Sequence, residues 1–313
     1  MKKRELGETG VEVSALCLGA MYLGTKQNKQ ESFALLDQFF ETGGNFFDTA
    51  NIYAHWVPGG TGGESENTLG AWIRIRGNRD QVFVASKVGF EYGDVPRSLR
   101  AKVIEEECNK SLKRMGLETI DLYYAHNDDR STPLEETLEA FHRLVQAGKI
   151  RFIGASNYLA WRLEEAKWVS RSNGWPEYCC IQQRHTYIRK RNGTTFSPQV
   201  AVNDGLLDYC NNRKITLLAY SALLSGAYTR PDRHLDEQYL GSDTDNRLET
   251  LKAVANEKRT PINQIVLAWM MHSNPSVIPL IAASTREQMQ ENLHALDVIL
   301  DPNDINRLDR AGL

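Results

Sequence analysis

Eight short apolar runs recur along the chain, separated by segments whose apolar residues return with helical spacing. They are 15–20 (ALCLGA), 46–50 (FFDTA), 82–88 (VFVASKV), 120–126 (IDLYYAH), 150–156 (IRFIGAS), 178–183 (YCCIQQ), 215–221 (ITLLAYS) and 276–282 (SVIPLIA). Runs this short read as buried strands, and their alternation with amphipathic stretches is the pattern of a parallel α/β sheet. Two of those stretches, RSLRAKVIEEECNKSLKRMG and PLEETLEAFHRLVQAGK, close on a glycine, where a helix takes a left-handed cap residue. Eight strand and helix units in this length suit a (β/α)8 TIM barrel; an open doubly wound sheet is the alternative. The opening residues alternate around GETG and predict a β-hairpin ahead of the barrel, and the fold class expected is that barrel with extra C-terminal helices. No low-complexity linker divides the chain, so residues 1–313 read as a single barrel domain.

Composition narrows the partners. Net charge is -3, with 40 acids interspersed among 37 bases, which leaves no field for nucleic acid or an anionic membrane. Cysteines 17, 108, 179, 180 and 210 are odd in number and sit mostly in apolar runs, the habit of reduced thiols, so a cytoplasmic location is expected. The basic N-terminus runs into no apolar segment, and no stretch of 18 apolar residues occurs, so neither a signal peptide nor a membrane span is expected.

In such a barrel, reactive groups gather at the C-terminal ends of the strands. Read in order, those positions hold Asp48 with Tyr53 just beyond, Lys87, His126, Ser156 with Asn157, Gln182 or Gln183, and Tyr220 with Ser221. Each has an ordinary explanation alone; the convergence of Asp, Tyr, Lys and His at one end of three adjacent strands points to a site. A buried lysine needs a counter-charge, and Asp48 is the evident one. Beside an ammonium a phenol is expected to fall below its usual pKa of about 10, which would make Tyr53 a usable proton donor. A carbonyl oxygen between Tyr53 and His126 would then accept two hydrogen bonds. The seven histidines show no metal-ligand spacing, so no metal is expected and the electron source should be organic.

These residues resemble the aldo-keto reductase family over nearly the whole chain. RELGETGVEVSALCLGA is similar to its N-terminal hairpin and first strand, NFFDTANIY to its aspartate and tyrosine signature, VFVASKV to the lysine strand and DLYYAHN to the histidine strand. KIRFIGASN and LLAYSALLSG resemble its cofactor segments. The resemblance implies reversible NAD(P)H-dependent reduction of a small carbonyl compound, sugar-like or aromatic, with Tyr53 as general acid, Asp48 and Lys87 tuning it, and His126 orienting the carbonyl. It further implies that Ser156, Asn157 and Gln182 bind the nicotinamide carboxamide and that Tyr220 stacks on the ring. Ser221, Leu223, Ser225 and Gly226 would follow the pyrophosphate, and Ser284, Gln288 and Asn292 would meet the adenosine end. Ser284 stands where many relatives carry a basic residue; with Arg286 supplying charge from two residues on, NADP(H) is favoured and NAD(H) is the alternative. The alternative function is a cofactor-binding regulatory or sensor subunit with little turnover.

The stretch NFFDTANIYAHWVPGGTGGESE lacks the lysine of a phosphate-binding loop. It is expected to be half of an active site ending in a mobile wall, with His55 and Trp56 touching substrate. The polar segment 222–244 is read as a lid or a loose insertion, its first part as a cofactor clasp. The loop acids Asp128 and Asp129 are read as solvated, or else as partners for a polyhydroxylated substrate. Oligomeric state is not legible.

Overall fold

The computed structural model describes residues 1–312. Eight parallel strands form a closed barrel in chain order: β3 (Cys17–Gly19), β4 (Phe46–Asp48), β5 (Phe83–Val88), β6 (Ile120–Ala125), β7 (Ile150–Ser156), β8 (Tyr178–Arg184), β9 (Thr216–Tyr220) and β10 (Val277–Ile281). The last closes the ring by pairing Leu280 with Cys17 and Ile281 with Leu18. All eight apolar runs are therefore strands, and the open-sheet alternative is excluded. Every residue of β5 and β6 is buried, as expected where helices cover the outer face of a parallel sheet and side chains fill its inside.

Helices α1 (Lys29–Glu41), α2 (Glu64–Arg76), α3 (Ala101–Met115), α4 (Leu134–Gln146), α5 (Ala160–Asn173) and α6 (Asp204–Arg213) each follow one strand. Between β9 and β10 stand two more, α7 (Thr244–Lys258) and α8 (Ile262–His272), and after β10 come α9 (Arg286–His294) and α10 (Pro302–Arg310). The glycine predicted to end α3 does so, with Gly116 at φ 65° donating its amide to Leu112 and Lys113.

The hairpin of β1 (Lys3–Glu5) and β2 (Glu12–Ser14) closes the N-terminal end of the barrel. Leu6 and Val13 join Cys17, Phe46, Phe83, Leu122, Leu218 and Ile278 in a buried cluster that fills the lumen. Truncating such a residue, Phe46→Ala for instance, costs about 3–5 kcal/mol through lost transfer energy and the cavity left behind. With one end plugged, the open end is the one where the strands point their C-termini, and the loops there carry the chemistry.

The segment 222–244 is not loose. Tyr228 and Tyr239 bury their rings, the Tyr228 hydroxyl lies 2.6 Å from the Thr186 hydroxyl, and Tyr239 accepts a hydrogen bond from Arg184 Nε at 3.0 Å. These bonds fasten the segment to the end of β8 and the loop after it. No helix among the described residues is long and apolar enough to cross a membrane.

Candidate active site

Asp48 ends β4 and Lys87 lies one residue before the end of β5, and both side chains are fully buried. The Lys87 ammonium spends its three donors on three acceptors: Asp48 Oδ1 at 2.5 Å, the Thr49 carbonyl at 2.8 Å and the Tyr53 hydroxyl oxygen at 2.7 Å. Since an ammonium cannot accept, the phenol's own hydrogen points elsewhere. Gln182 Nε2 donates to the other Asp48 oxygen at 2.8 Å, so the carboxylate is held from two sides. His126, just past β6, places its ring centroid 6.0 Å from that of Tyr53, edge to face.

Burial sets the protonation states. It raises the Tyr53 phenol well above its ordinary pKa, and the nearby Asp48 charge pushes the same way. The lowering expected from Lys87 is thus overturned: taking a phenolate out of water costs more than the adjacent ammonium returns, because that ammonium is already paired with Asp48. Burial also lowers the Lys87 ammonium, against the opposing pull of Asp48. His126 is held well below the usual histidine range, first by burial and then by the Lys87 charge, so the imidazole is neutral.

The three residues read as carboxamide ligands sit beside this group. Ser156 and Gln182 are register partners on β7 and β8. Asn157, at φ 62°, donates to the His126 carbonyl at 3.0 Å and accepts from the Tyr220 hydroxyl at 2.7 Å, joining the ends of β6, β7 and β9. Gln183, left open beside Gln182 by strand position alone, is committed to backbone: its Oε1 accepts from the Asn157 amide at 2.5 Å and its Nε2 donates to the Tyr158 carbonyl at 2.8 Å. Gln182 is the glutamine that reaches the site.

Beyond Tyr220 the backbone is unusual. Ser221, Leu224 and Ser225 take left-handed φ of 56°, 49° and 55°, and Gly226 follows at 92°. Three non-glycine residues in that region cost about 1–3 kcal/mol each, and such strain clusters at functional sites. Leu223 lies within this turn at an ordinary φ of −106°. Farther round, at the N-terminus of α9, Thr285 caps the helix, the Ser284 amide donates to Gln288 Oε1 at 2.8 Å, and Asn292 Nδ2 donates to the Ala282 carbonyl at 3.1 Å. Gln288 is exposed and Asn292 buried, so the i,i+4 pair does not present two equally open amides.

Aromatic rings flank Tyr53 on two sides. Trp56, 46% exposed, stands edge-on to Tyr53 at 6.4 Å, to Tyr22 at 6.5 Å and to His55 at 5.1 Å. On the other side Phe90 meets His126 at 4.8 Å. Tyr22 and Phe90 escaped the sequence reading because each lies in a loop with no motif, although Phe90 falls only two residues after β5.

Two expectations fail here. The glycine tract after Trp56 is tied down: the Glu64 carboxylate accepts from the Thr61 and Gly62 amides at 2.6 and 3.0 Å, and the Gly60 amide donates to the Val57 carbonyl at 2.7 Å. The expected mobile wall is thus a braced entry to α2. Asp128 is paired with Arg130 at 3.0 Å and Arg162 at 3.1 Å, while Asp129 accepts from the Leu99 amide and the Ser131 and Thr132 hydroxyls. Both acids are committed to partners within the fold, although Asp129 keeps part of its surface exposed. Against the opposing effect of burial, those bonds pull Asp129 down to about 2.

The chain belongs to the aldo/keto reductase family, whose model matches residues 15–312. It is 32% identical over 325 residues to a norsolorinic acid reductase of Emericella nidulans, covering 96% of this chain and 78% of that one. An uncharacterized oxidoreductase of Bacillus subtilis is 30% identical, covering 99% of this chain and 95% of the relative. An NADP(+) aryl-alcohol dehydrogenase of Phanerodontia chrysosporium is 27% identical over 96% of this chain and 83% of its own. Among solved structures, a thermostable aldo-keto reductase in complex with the inhibitor epalrestat superposes with a TM-score of 0.78 at 30% identity, covering 99% of both chains.

Proposed function

We propose that the protein reduces an aromatic aldehyde or ketone to the alcohol, reversibly, with NADP(H) as coenzyme. The observation that carries the reading is the threefold coordination of the Lys87 ammonium. Burial keeps Tyr53 protonated, and because Lys87 donates to its oxygen, the phenol's hydrogen is the one left to meet a substrate oxygen. A nicotinamide, when bound, supplies hydride to the carbonyl carbon. Tyr53 gives its proton to the carbonyl oxygen, and the phenolate that remains is stabilised by Lys87, whose own charge Asp48 keeps in place. Neutral His126 donates the second hydrogen bond to the same oxygen and orients it.

Ser156, Asn157 and Gln182 fit a carboxamide, whose donors and acceptor match a hydroxyl and two amides. Tyr220 would exchange its bond to Asn157 for a place against the nicotinamide ring. Ser221, Leu223, Ser225 and Gly226 would line the pyrophosphate, and Ser284, Gln288 and Asn292 the adenosine. Arg286, exposed as the first residue of α9, gives the charge that favours NADP(H) over NAD(H), beside a helix N-terminus that itself favours an anion. The aromatic preference rests on Trp56, Tyr22, His55 and Phe90 around Tyr53, and the name of one fungal relative, an aryl-alcohol dehydrogenase, agrees with it. Five free cysteines, four of them buried, suit the reducing cytoplasm.

The test is the initial rate of NADPH oxidation with benzaldehyde by the wild type and by Tyr53→Phe. Loss of the general acid should lower kcat by about 10² or more with NADPH binding retained. If both proteins bind NADPH and neither oxidises it, the sensor reading replaces this one.

A further inference from the structure

We propose that Glu66, Glu107 and Arg114, with Asn51 and Tyr92, form a positioning network that holds the turn carrying Tyr53 against Lys87, and that Gly62 and Gly63 are glycines because this network passes beneath them. The inference rests on the roles given above to Tyr53 and Lys87.

Two carboxylates lie buried behind the site, Glu66 at 0% and Glu107 at 1% exposure. Buried acids are tolerated only when fully partnered, and each of these is. Glu66 accepts from the Ser86 hydroxyl and from Arg114 Nε, both at 2.5 Å. Glu107 accepts from Asn51 Nδ2 at 2.8 Å, from the Tyr92 hydroxyl at 2.5 Å and from Lys110 at 2.7 Å. Arg114 Nη1 reaches the Tyr92 hydroxyl at 3.5 Å and so joins the two acids.

The network touches the reacting groups at two points. Ser86 immediately precedes Lys87, and Asn51 lies between Asp48 and Tyr53, where its amide also donates to the Lys87 carbonyl at 3.3 Å. Fixing Asn51 therefore fixes the path from the Thr49 carbonyl to the Tyr53 hydroxyl, two of the three acceptors on which the ammonium depends. A Cβ at Gly62 would lie 2.5 Å from the Tyr92 ring, and one at Gly63 would lie 2.4 Å from Arg114 Cδ. Both residues also take left-handed φ, 92° and 88°. The glycine tract thus lets the ring and the guanidinium run under the catalytic loop. Were stability the network's whole purpose, apolar residues of the same volume would serve as well or better. What ionised groups add is direction, and here the direction is toward the turn.

The variants are Asn51→Ala and Tyr92→Phe, each removing one hydrogen bond to Glu107 while leaving the ring under Gly62 in place. Three quantities are read below the melting temperature: kcat and KM with benzaldehyde, the NADPH Kd, and amide exchange over residues 49–57. Because displacements of about 1 Å cost as much as 10²-fold in rate, Asn51→Ala should lose about tenfold or more in kcat, with KM and Kd within about twofold of the wild type. Tyr92→Phe should lose less, and the double variant should lose less than the product of the two singles. Exchange over 49–57 should quicken in both. Unchanged kcat in both folded variants, or a loss confined to melting temperature and NADPH affinity, overturns the proposal. Should the wild type itself fail to turn over, the reductase reading falls, and exchange over 49–57 still decides the network: rates equal to those of the wild type overturn it.

Discussion

Lys87→Met removes the ammonium from the centre of the site while keeping an unbranched chain of similar length. The residue makes a buried pair with Asp48 at 2.5 Å. Breaking such a pair from one side costs about 3–5 kcal/mol, because the remaining charge is left in a poorly hydrated place. Asp48 still accepts from Gln182 at 2.8 Å, so the loss should fall near the low end, about 3 kcal/mol. That leaves a folded protein if the chain begins with the usual ~5–15 kcal/mol. The rate suffers separately. Tyr53 loses a charged donor 2.7 Å from the oxygen on which negative charge develops, and removing one preorganised donor of that kind costs about 10²–10³ in kcat.

The two effects part company in a double variant. Replacing the whole pair, Asp48→Leu with Lys87→Met, removes both buried charges, and such exchanges are often neutral or stabilising. The double variant should therefore unfold at a higher urea concentration than Lys87→Met alone and be no more active. The assays are urea unfolding followed by circular dichroism and NADPH oxidation with benzaldehyde at saturating coenzyme. A Lys87→Met enzyme that keeps kcat within about threefold of the wild type would refute the claim that this ammonium supplies transition-state stabilisation. A double variant less stable than both singles would refute the account of the pair as a charge-compensated unit.

Burial holds His126 well below the usual histidine pKa and His185 at about 4, with Lys87 and Arg247 respectively pushing the same way. The unfolded chain takes up protons near pH 6.5 that the folded chain refuses, so stability falls as pH drops below that value, by up to about 1.4 kcal/mol per unit for each histidine. Urea midpoints between pH 6 and 4.5 should fall less steeply in His126→Asn than in the wild type, and equal slopes would show that the imidazole is not buried neutral. Trp56→Ala removes a ring 46% exposed at the cleft. Since an aromatic contact is worth about 0.5–1.5 kcal/mol, KM for benzaldehyde should rise about two- to twelvefold, and the melting temperature should fall as the edge-on contacts with Tyr22, Tyr53 and His55 are lost. A similar rise for a short aliphatic aldehyde would deny the ring a role in aromatic preference.

Alternation of apolar runs with amphipathic stretches was enough to place all eight strands, because a parallel sheet covered on its outer face needs continuous apolar segments; the run IVLAWMM at 265–271 is equally apolar but belongs to the buried helix α8. Closure into a barrel then brought Asp48, Lys87 and His126 to one end, since strand ends that are scattered in sequence converge in space. What the pattern could not carry was the state of each group. Lys87 beside Tyr53 suggested a lowered phenol pKa, yet the same ammonium is already paired with Asp48 inside the fold, and desolvation outweighs what remains of its field. Contact was legible; the dielectric around it was not.

The loop residues mark the same boundary from another side. Asp128 and Asp129 look solvated as letters, but Arg162, 34 positions away, reaches one, and the Leu99 amide, 30 positions away, the other. Glycine in PGGTGG reads as mobility until the partners of Gly62 and Gly63 are known, and those partners, Tyr92 and Arg114, arrive from β5's loop and from α3. A glycine required by close approach and a glycine that merely loosens a chain are identical in sequence. They differ under substitution: Gly62→Ala should displace the Tyr92 ring and lower kcat as Tyr92→Phe does, whereas Gly59→Ala, whose added Cβ meets nothing within 4 Å, carries only the strain of a left-handed φ of 82° at an exposed turn. If Gly59→Ala proved the more damaging to kcat, the tract would be a mobile wall after all, and the bracing by Glu64 would be incidental to the chemistry.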